Sequence, residues 1–277
     1  MSDHMSTAGL RVRLRLPRRR ARALTVFAAV LTAAFAAASP AQAAQPGVMQ
    51  ISSDPYTAAN APSGQHATEV EPDTFAWGST IVSTYQVGRV FNGGATDIGF
   101  SRSTNGGTSW THGFLPGTSR EAMRPGPFFS ASDASVAYDA RDGVWILSWL
   151  GAHFSGGGIV DVMVSRSTDG GLTWGAPVTV AATGVFYDKN WSVCDNTPTS
   201  RFYGHCYTEF DNASAGDLEL MSTSADGGLT WGTPTPTADT AHGLGGQPVV
   251  QPNGRVVVPF EGIGSTGGQR SFSSDDG

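Results

Sequence analysis

The chain of 277 residues carries 17 Lys and Arg against 23 Asp and Glu, a formal charge of −6, with 36 glycines, seven tryptophans and two cysteines. Seven of the basic residues but only one acidic residue precede residue 44, so the remainder has a formal charge of −12. An acidic body without a basic stripe argues against a nucleic-acid partner, and the glycine- and tryptophan-rich composition suits many short strands and turns rather than long helices.

Residues 1–43 read as a secretory signal peptide. Arg11, Arg13, Arg15, Arg18, Arg19, Arg20 and Arg22 form a basic n-region, Ala23 to Ala38 an apolar run, and Ala41-Gln42-Ala43 a small-residue cleavage site. The run is shorter than the ~20 residues a spanning helix needs. A secreted, extracellular protein with no membrane partner after cleavage is therefore expected. Residues 44–68 read as an N-terminal linker, within which Val48 to Ile51 could serve as a closing strand.

From residue 69 onward the chain repeats. Ser103-Thr104-Asn105-Gly106-Gly107-Thr108-Ser109-Trp110 returns as Ser167-Thr168-Asp169-Gly170-Gly171-Leu172-Thr173-Trp174 and as Ser224-Ala225-Asp226-Gly227-Gly228-Leu229-Thr230-Trp231. A fourth copy, Ser273-Ser274-Asp275-Asp276-Gly277, begins at the end of the sequence. With Asn105, Asp169, Asp226 and Asp275 as its corners, the steps are 64, 57 and 49 residues, the length of a supersecondary unit. Each copy predicts a tight hairpin: the Asp or Asn bonds its own backbone, the glycines take positive φ, and Trp110, Trp174 or Trp231 opens the next strand.

Four strands are predicted per unit. In the second they are Ser135 to Tyr138, Val144 to Trp149, Val160 to Ser165 and Trp174 to Val180. The first has Thr74 to Trp77, Thr80 to Tyr85, Asp97 to Ser101 and Trp110 onward. The third has Trp191 to Cys194, Cys206 to Phe210, Leu218 to Met221 and Trp231 onward, and the fourth Pro248 to Gln251, Arg255 to Pro259 and Arg270 to Ser273. Cys194 and Cys206, on paired strands of an exported chain, are expected to form a disulfide. In such sheets the short turns gather at one end and the long loops, the functional candidates, at the other.

The motif S-x-D-x-G-x-T-W resembles the Asp-box, or bacterial neuraminidase repeat, of the sialidase superfamily. The resemblance implies an all-β fold, a sialidase-type β-propeller of four-stranded antiparallel blades. The family has six blades, and about four would be present here, so an incomplete product is expected. A closed four-bladed ring with Val48 to Ile51 completing the last blade is the alternative.

The resemblance also implies chemistry. Family sialidases are exo-acting hydrolases in which three arginines hold the sugar carboxylate, a Tyr with a Glu acts as nucleophile, and an Asp is the acid/base. Val70-Glu71-Pro72 stands where the first of those arginines would occupy an Arg-Ile-Pro motif. Arg89 resembles an arginine that closes the second strand, and Asp97 is the carboxylate of the same loop. Asn253-Gly254-Arg255-Val256-Val257-Val258-Pro259 resembles a family blade, with Glu261 just beyond it. Asp188-Lys189-Asn190-Trp191 resembles the entry to a blade in secreted relatives. Asp97 and Glu261 are thus the catalytic candidates, and Arg89, Asp133, Asp188 and Trp191 the substrate-binding ones. Arg102 and Arg166, at equivalent third-strand positions, read as parts of the repeat. Asp211 and Asp217 read as turn residues, and no metal or cofactor is expected. The implied function is a secreted, monomeric sialidase-like glycoside hydrolase acting on terminal sugars of a glycan; the other reading is a non-catalytic carbohydrate-binding propeller.

Overall fold

A computed structural model describes residues 47–264 and 267–277. The signal peptide expected over residues 1–43 lies outside them. The described chain is built from four consecutive antiparallel sheets. The first holds β1 (Glu69–Trp77), β2 (Thr80–Arg89), β3 (Ala95–Ser103) and β4 (Thr111–Phe114), and the second β5 (Ser130–Asp139), β6 (Val144–Phe154), β7 (Gly157–Ser167) and β8 (Val178–Ala181). The third holds β9 (Tyr187–Cys194), β10 (Cys206–Asn212), β11 (Leu218–Ser224) and β12 (Thr235–Pro236). In the fourth, β13 (Gly243–Leu244) and β14 (Val249–Val250) share one partner, β15 (Val256–Gly262), whose other side pairs with β16 (Gly268–Ser274). Each sheet runs in chain order, and one pair, Ala95 with Ala131, joins the first sheet to the second.

The core lies between the sheets, which explains why their central strands are apolar on both faces. Along β6 the parity divides cleanly: Trp145, Leu147 and Trp149 pack with Val82, Ile98 and Phe100 of the first sheet, while Ile146 and Leu150 pack with Cys194, Phe210 and Leu220 of the third. Each fully buried side chain of this kind stabilises the fold by ~2 kcal/mol. A smaller cluster of Tyr207, Val256 and Val258 joins the third sheet to the fourth. Cys194 and Cys206 face each other across β9 and β10 and form a disulfide.

The first three repeated turns share one plan, in which a serine before the corner and a serine or threonine beyond it bond to its Asp or Asn. Ser167 Oγ donates to Asp169 Oδ1 (2.8 Å), which also accepts the amides of Leu172 and Thr173 (3.0 and 2.9 Å), while Thr173 Oγ1 donates to Asp169 Oδ2 (2.6 Å). Asp226 repeats this with Ser224 and Thr230, and Asn105 with Ser103 and Ser109. The fourth corner is Asp276, not Asp275. Ser274 Oγ donates to Asp276 Oδ1 (2.6 Å), Ser274 pairs with Val256 as Ser167 pairs with Trp145, and Gly277 takes φ 75° where Gly170 takes 76°. Asp275 instead lies 3.5 Å from Arg255 on the exposed side of the turn.

Arginines tie the second, third and fourth turns to the preceding sheet. Arg102 Nε donates to the Gly170 carbonyl (2.6 Å) and Arg166 Nε to that of Gly227 (2.5 Å). A second series runs from Arg141 to the Ala225 carbonyl and from Arg201 to that of Asp275, both 2.6 Å. Val48 to Ile51 forms no strand and does not complete the fourth sheet. It lies on the first, where Ser101 Oγ donates to the Ile51 carbonyl (2.9 Å) and Ser52 Oγ to Glu69 (2.7 Å).

Candidate functional site

At the end of the sheets opposite the repeated turns, every first strand is interrupted in the same way. Pairing skips from Val70 to Asp73 in β1, from Ser132 to Ser135 in β5 and from Asp188 to Trp191 in β9. In the fourth sheet Leu244 pairs with Glu261 and the Gln247 amide then bonds to Pro259. Two residues thus oppose one, a β-bulge, and the opposed residue is aromatic each time: Tyr85, Trp149, Phe210 and Phe260, all buried. The leading bulge residue has positive φ throughout: Glu71 54°, Asp133 49°, Lys189 54° and Gly245 67°. Three of the four are not glycine, a left-handed conformation that strains the backbone and clusters at functional sites.

These bulges wall two adjoining cavities. One, of about 260 Å³, is lined by Glu71, Asp133 and Lys189 together with Arg89, Asp188 and Phe186. The other, of about 320 Å³, shares those first three residues and adds Asp73, Trp191 and Gln247. Lys189 Nζ lies 3.3 Å from Asp133 Oδ2, and that carboxylate raises the lysine pKa. Gln86 donates to Glu71. Burial, reinforced by Asp133, pushes the Asp188 carboxyl up. Beneath it Asp211 is buried and pushed up to about 8, first by burial and then by the charge of Asp188.

Side chains hold the strained strands in place. Asp73 Oδ1 accepts the Thr74 amide (2.7 Å), and its Oδ2 accepts the Val136 amide of the next sheet (2.8 Å). The Ser192 amide donates to Ser135 Oγ (3.2 Å). So the third residue beyond each non-glycine bulge has its amide fixed by a neighbouring side chain. Beyond Gly245 that position is Pro248, which has no amide to offer.

The sequence matches no protein-family model and no curated relative. Solved structures do match. The Hadza microbial sialidase Hz136 aligns over 74% of this chain and 44% of its own, at 19% identity and a TM-score of 0.56. The intramolecular trans-sialidase from Ruminococcus gnavus aligns over 81% and 71%, at 12% identity and 0.56. The Trypanosoma rangeli sialidase captured as a covalent intermediate with 2,3-difluorosialic acid aligns over 76% and 36%, at 12% identity and 0.54. The fold is a sialidase-like β-propeller. The chain spans less than half the length of Hz136 and of the Trypanosoma rangeli enzyme.

Within this propeller, Arg89, Asp133, Asp188 and Trp191 line the paired cavities, as the loop reading placed them. No carboxylate of the described residues pairs with the Arg89 guanidinium within 4.0 Å. The two expected catalytic carboxylates are not brought there. Asp97 is fully buried under the N-terminal segment, where it accepts bonds from Tyr56 Oη and Thr118 Oγ1 (both 2.6 Å) and from the Ile98 amide (2.8 Å). Burial outweighs those bonds and raises its pKa to about 6. Glu261 is exposed on β15, paired through its backbone with Leu244 and Gln269, and lines neither cavity. Glu71 and Lys189 are the site residues that the loop reading passed over. A signal for their position exists: each second strand carries its aromatic residue four places after the residue that pairs with the turn serine. Among the described residues, no group of three or more His, Cys, Asp or Glu side chains is placed to hold a metal.

Proposed function

We propose that this protein is an exported, monomeric, sialidase-like glycoside hydrolase that works on a terminal sugar of a glycan in the cleft between its first strands. The observation that carries this reading is the convergence of Glu71, Asp133 and Asp188 on one pair of cavities, two of them on strained bulges. Glycoside hydrolysis needs a carboxylic acid to protonate the leaving oxygen and a carboxylate to face the developing cation. Asp188, held toward its protonated form by burial, suits the first role. Asp133 and Glu71 suit the second, and Lys189 orients Asp133 through their ion pair.

The test is a panel of fluorogenic aryl glycosides offered to the full chain with its Asp188→Asn and Asp133→Asn variants. Turnover that falls at least ~100-fold in both variants, with unchanged melting curves, supports catalysis. Absence of turnover with retained glycan binding supports the second reading, a carbohydrate-binding propeller. That reading is favoured by Arg89 being the one arginine of the described residues that lines either cavity, and by the burial of Asp97. Export is checked by sequencing the N-terminus of the protein recovered outside the cell, which should begin after Ala43.

A further inference from the structure

We infer, resting on the glycan reading above, that the cleft selects a terminal sugar without a carboxylate, held through its hydroxyl groups, and discriminates against sialic acid. Among the described residues the cavities carry Glu71, Asp73 and Asp133, with Asp188 held toward its neutral form by burial, against two cations, Arg89 and Lys189. One of those cations is already committed, since Lys189 is the ion-pair partner of Asp133. That leaves a single guanidinium where a sugar carboxylate would need several bidentate donors to repay its lost hydration.

The layer behind the wall supplies no compensating positive charge. Glu209 and Asp211 on β10 and Glu219 on β11 are fully buried, Glu209 and Glu219 lie against each other, and no backbone amide or basic side chain of the described residues donates to any of the three. The Glu209 carboxyl lies directly under Gly246, the residue between Gly245 and Gln247 of the second cavity. No cation of the described residues pairs with any of the three within 4.0 Å. An anion entering the cleft would therefore meet the carboxylates of Glu71 and Asp133 in front and no cation behind them.

Neutral sugars fit this inventory. A carboxylate has only acceptor sites, so its natural partners are hydroxyl donors, and vicinal hydroxyls can engage both of its oxygens. Phe186 on one cavity and Trp191 on the other supply apolar faces for the C–H surface of a pyranose ring.

The experiment is an array of sialylated glycans probed with the labelled full chain, beside an identical array from which sialic acid has been removed by mild acid. The expected result is a signal at least ~10-fold stronger on the asialo array at low salt, narrowing as salt screens the repulsion. A Glu71→Gln, Asp133→Asn double variant should narrow that ratio at least ~3-fold, which a purely structural role for these residues would not do. Equal or stronger binding to the sialylated array overturns this inference while leaving the glycan reading intact. Binding to neither array overturns the glycan reading and this inference with it.

Discussion

Replacing Asp169 by alanine should destabilise the protein by about 2 kcal/mol near neutral pH, and replacing it by asparagine by no more than the roughly 1 kcal/mol that depends on the charge. Its carboxylate accepts two backbone amides, and a capping side chain that holds amides in this way is typically worth about 1 kcal/mol for each. Its pKa provides a second route. Hydrogen bonds from Thr173, Ser167 and Leu172 outweigh desolvation and bring it from 3.8 to about 2. That difference corresponds to about 2.5 kcal/mol before screening, and solvent around an exposed carboxylate reduces it to about 1 kcal/mol. Asparagine is tolerated because it already occupies the same corner of the first sheet. There Asn105 Oδ1 still accepts the Ser109 amide (2.9 Å), and the side-chain bond is reversed, with Asn105 Nδ2 donating to Ser109 Oγ (2.9 Å). The folded pKa is depressed, so the charge-dependent stability is present above the unfolded value, about pH 4, and is lost as pH falls toward about 2. Urea unfolding followed by tryptophan fluorescence reads this out, with Trp174 buried directly beside the turn. An alanine variant as stable as the parent, an asparagine variant as damaged as the alanine one, or a gap that persists unchanged at pH 2 would refute the reasoning.

Cys194→Ser with Cys206→Ser opens a loop with a sequence separation of 12 and should lower stability by about 3 kcal/mol, measured as a shift in urea midpoint against the oxidised parent. Asp211→Asn should be neutral near pH 4 and increasingly stabilising toward pH 8. The raised folded pKa lets the unfolded chain ionise first and drain stability across that interval, so a flat difference in melting temperature from pH 4 to 8 would count against the burial argument. Asp73→Ala leaves the Thr74 and Val136 amides without their acceptor and should cost about 2 kcal/mol, accompanied by faster hydrogen exchange at those two amides.

Much of the architecture is legible in the sequence because it depends on local chemistry. An Asp or Asn followed by two glycines fixes a hairpin wherever it occurs, and strand positions follow by counting outward from Asn105, Asp169 and Asp226. The slip at the fourth copy has a specific cause: Ser273-Ser274 and Asp275-Asp276 let the motif fit at two registers, and only Gly277, which must follow the corner as Gly170 follows Asp169, decides between them. The loop reading reached Arg89, Asp133, Asp188 and Trp191 for the same local reason, since residues just before or after a strand must lie at its ends. Asp97 failed because its cover is tertiary: Tyr56 and Thr118 come from distant segments that no local pattern connects to it. Glu261 failed because the second strand does not end at Pro259: β15 runs to Gly262, held by its pairing with Gly243 and Leu244 on one side and with Gly268 and Gln269 on the other, so Glu261 lies within the strand rather than in the loop.

The two ends of the sheets divide stability from function, and the bulges show how that division is maintained. At the repeated turns, local hydrogen bonds and arginines from the preceding sheet hold the backbone, and glycines supply every positive φ. At the cleft the positive φ falls on Glu71, Asp133 and Lys189, where glycine would have relieved the strain but left no side chain in the cavity. The amides that follow the bulges on the first strands lie on the side away from the second strand, and each is taken up by a side chain, from the same strand in β1 and from the preceding sheet in β5 and β9. Asp73 and Ser135 provide these anchors for Thr74, Val136 and Ser192. The fourth sheet tests this logic within the same molecule. Its bulge residue is Gly245, which bears little strain, and the anchoring position is Pro248, which has nothing to anchor. Strain and anchor occur together in three sheets and are absent together in the fourth, as expected if the strain is retained for the side chains it presents rather than imposed by the fold.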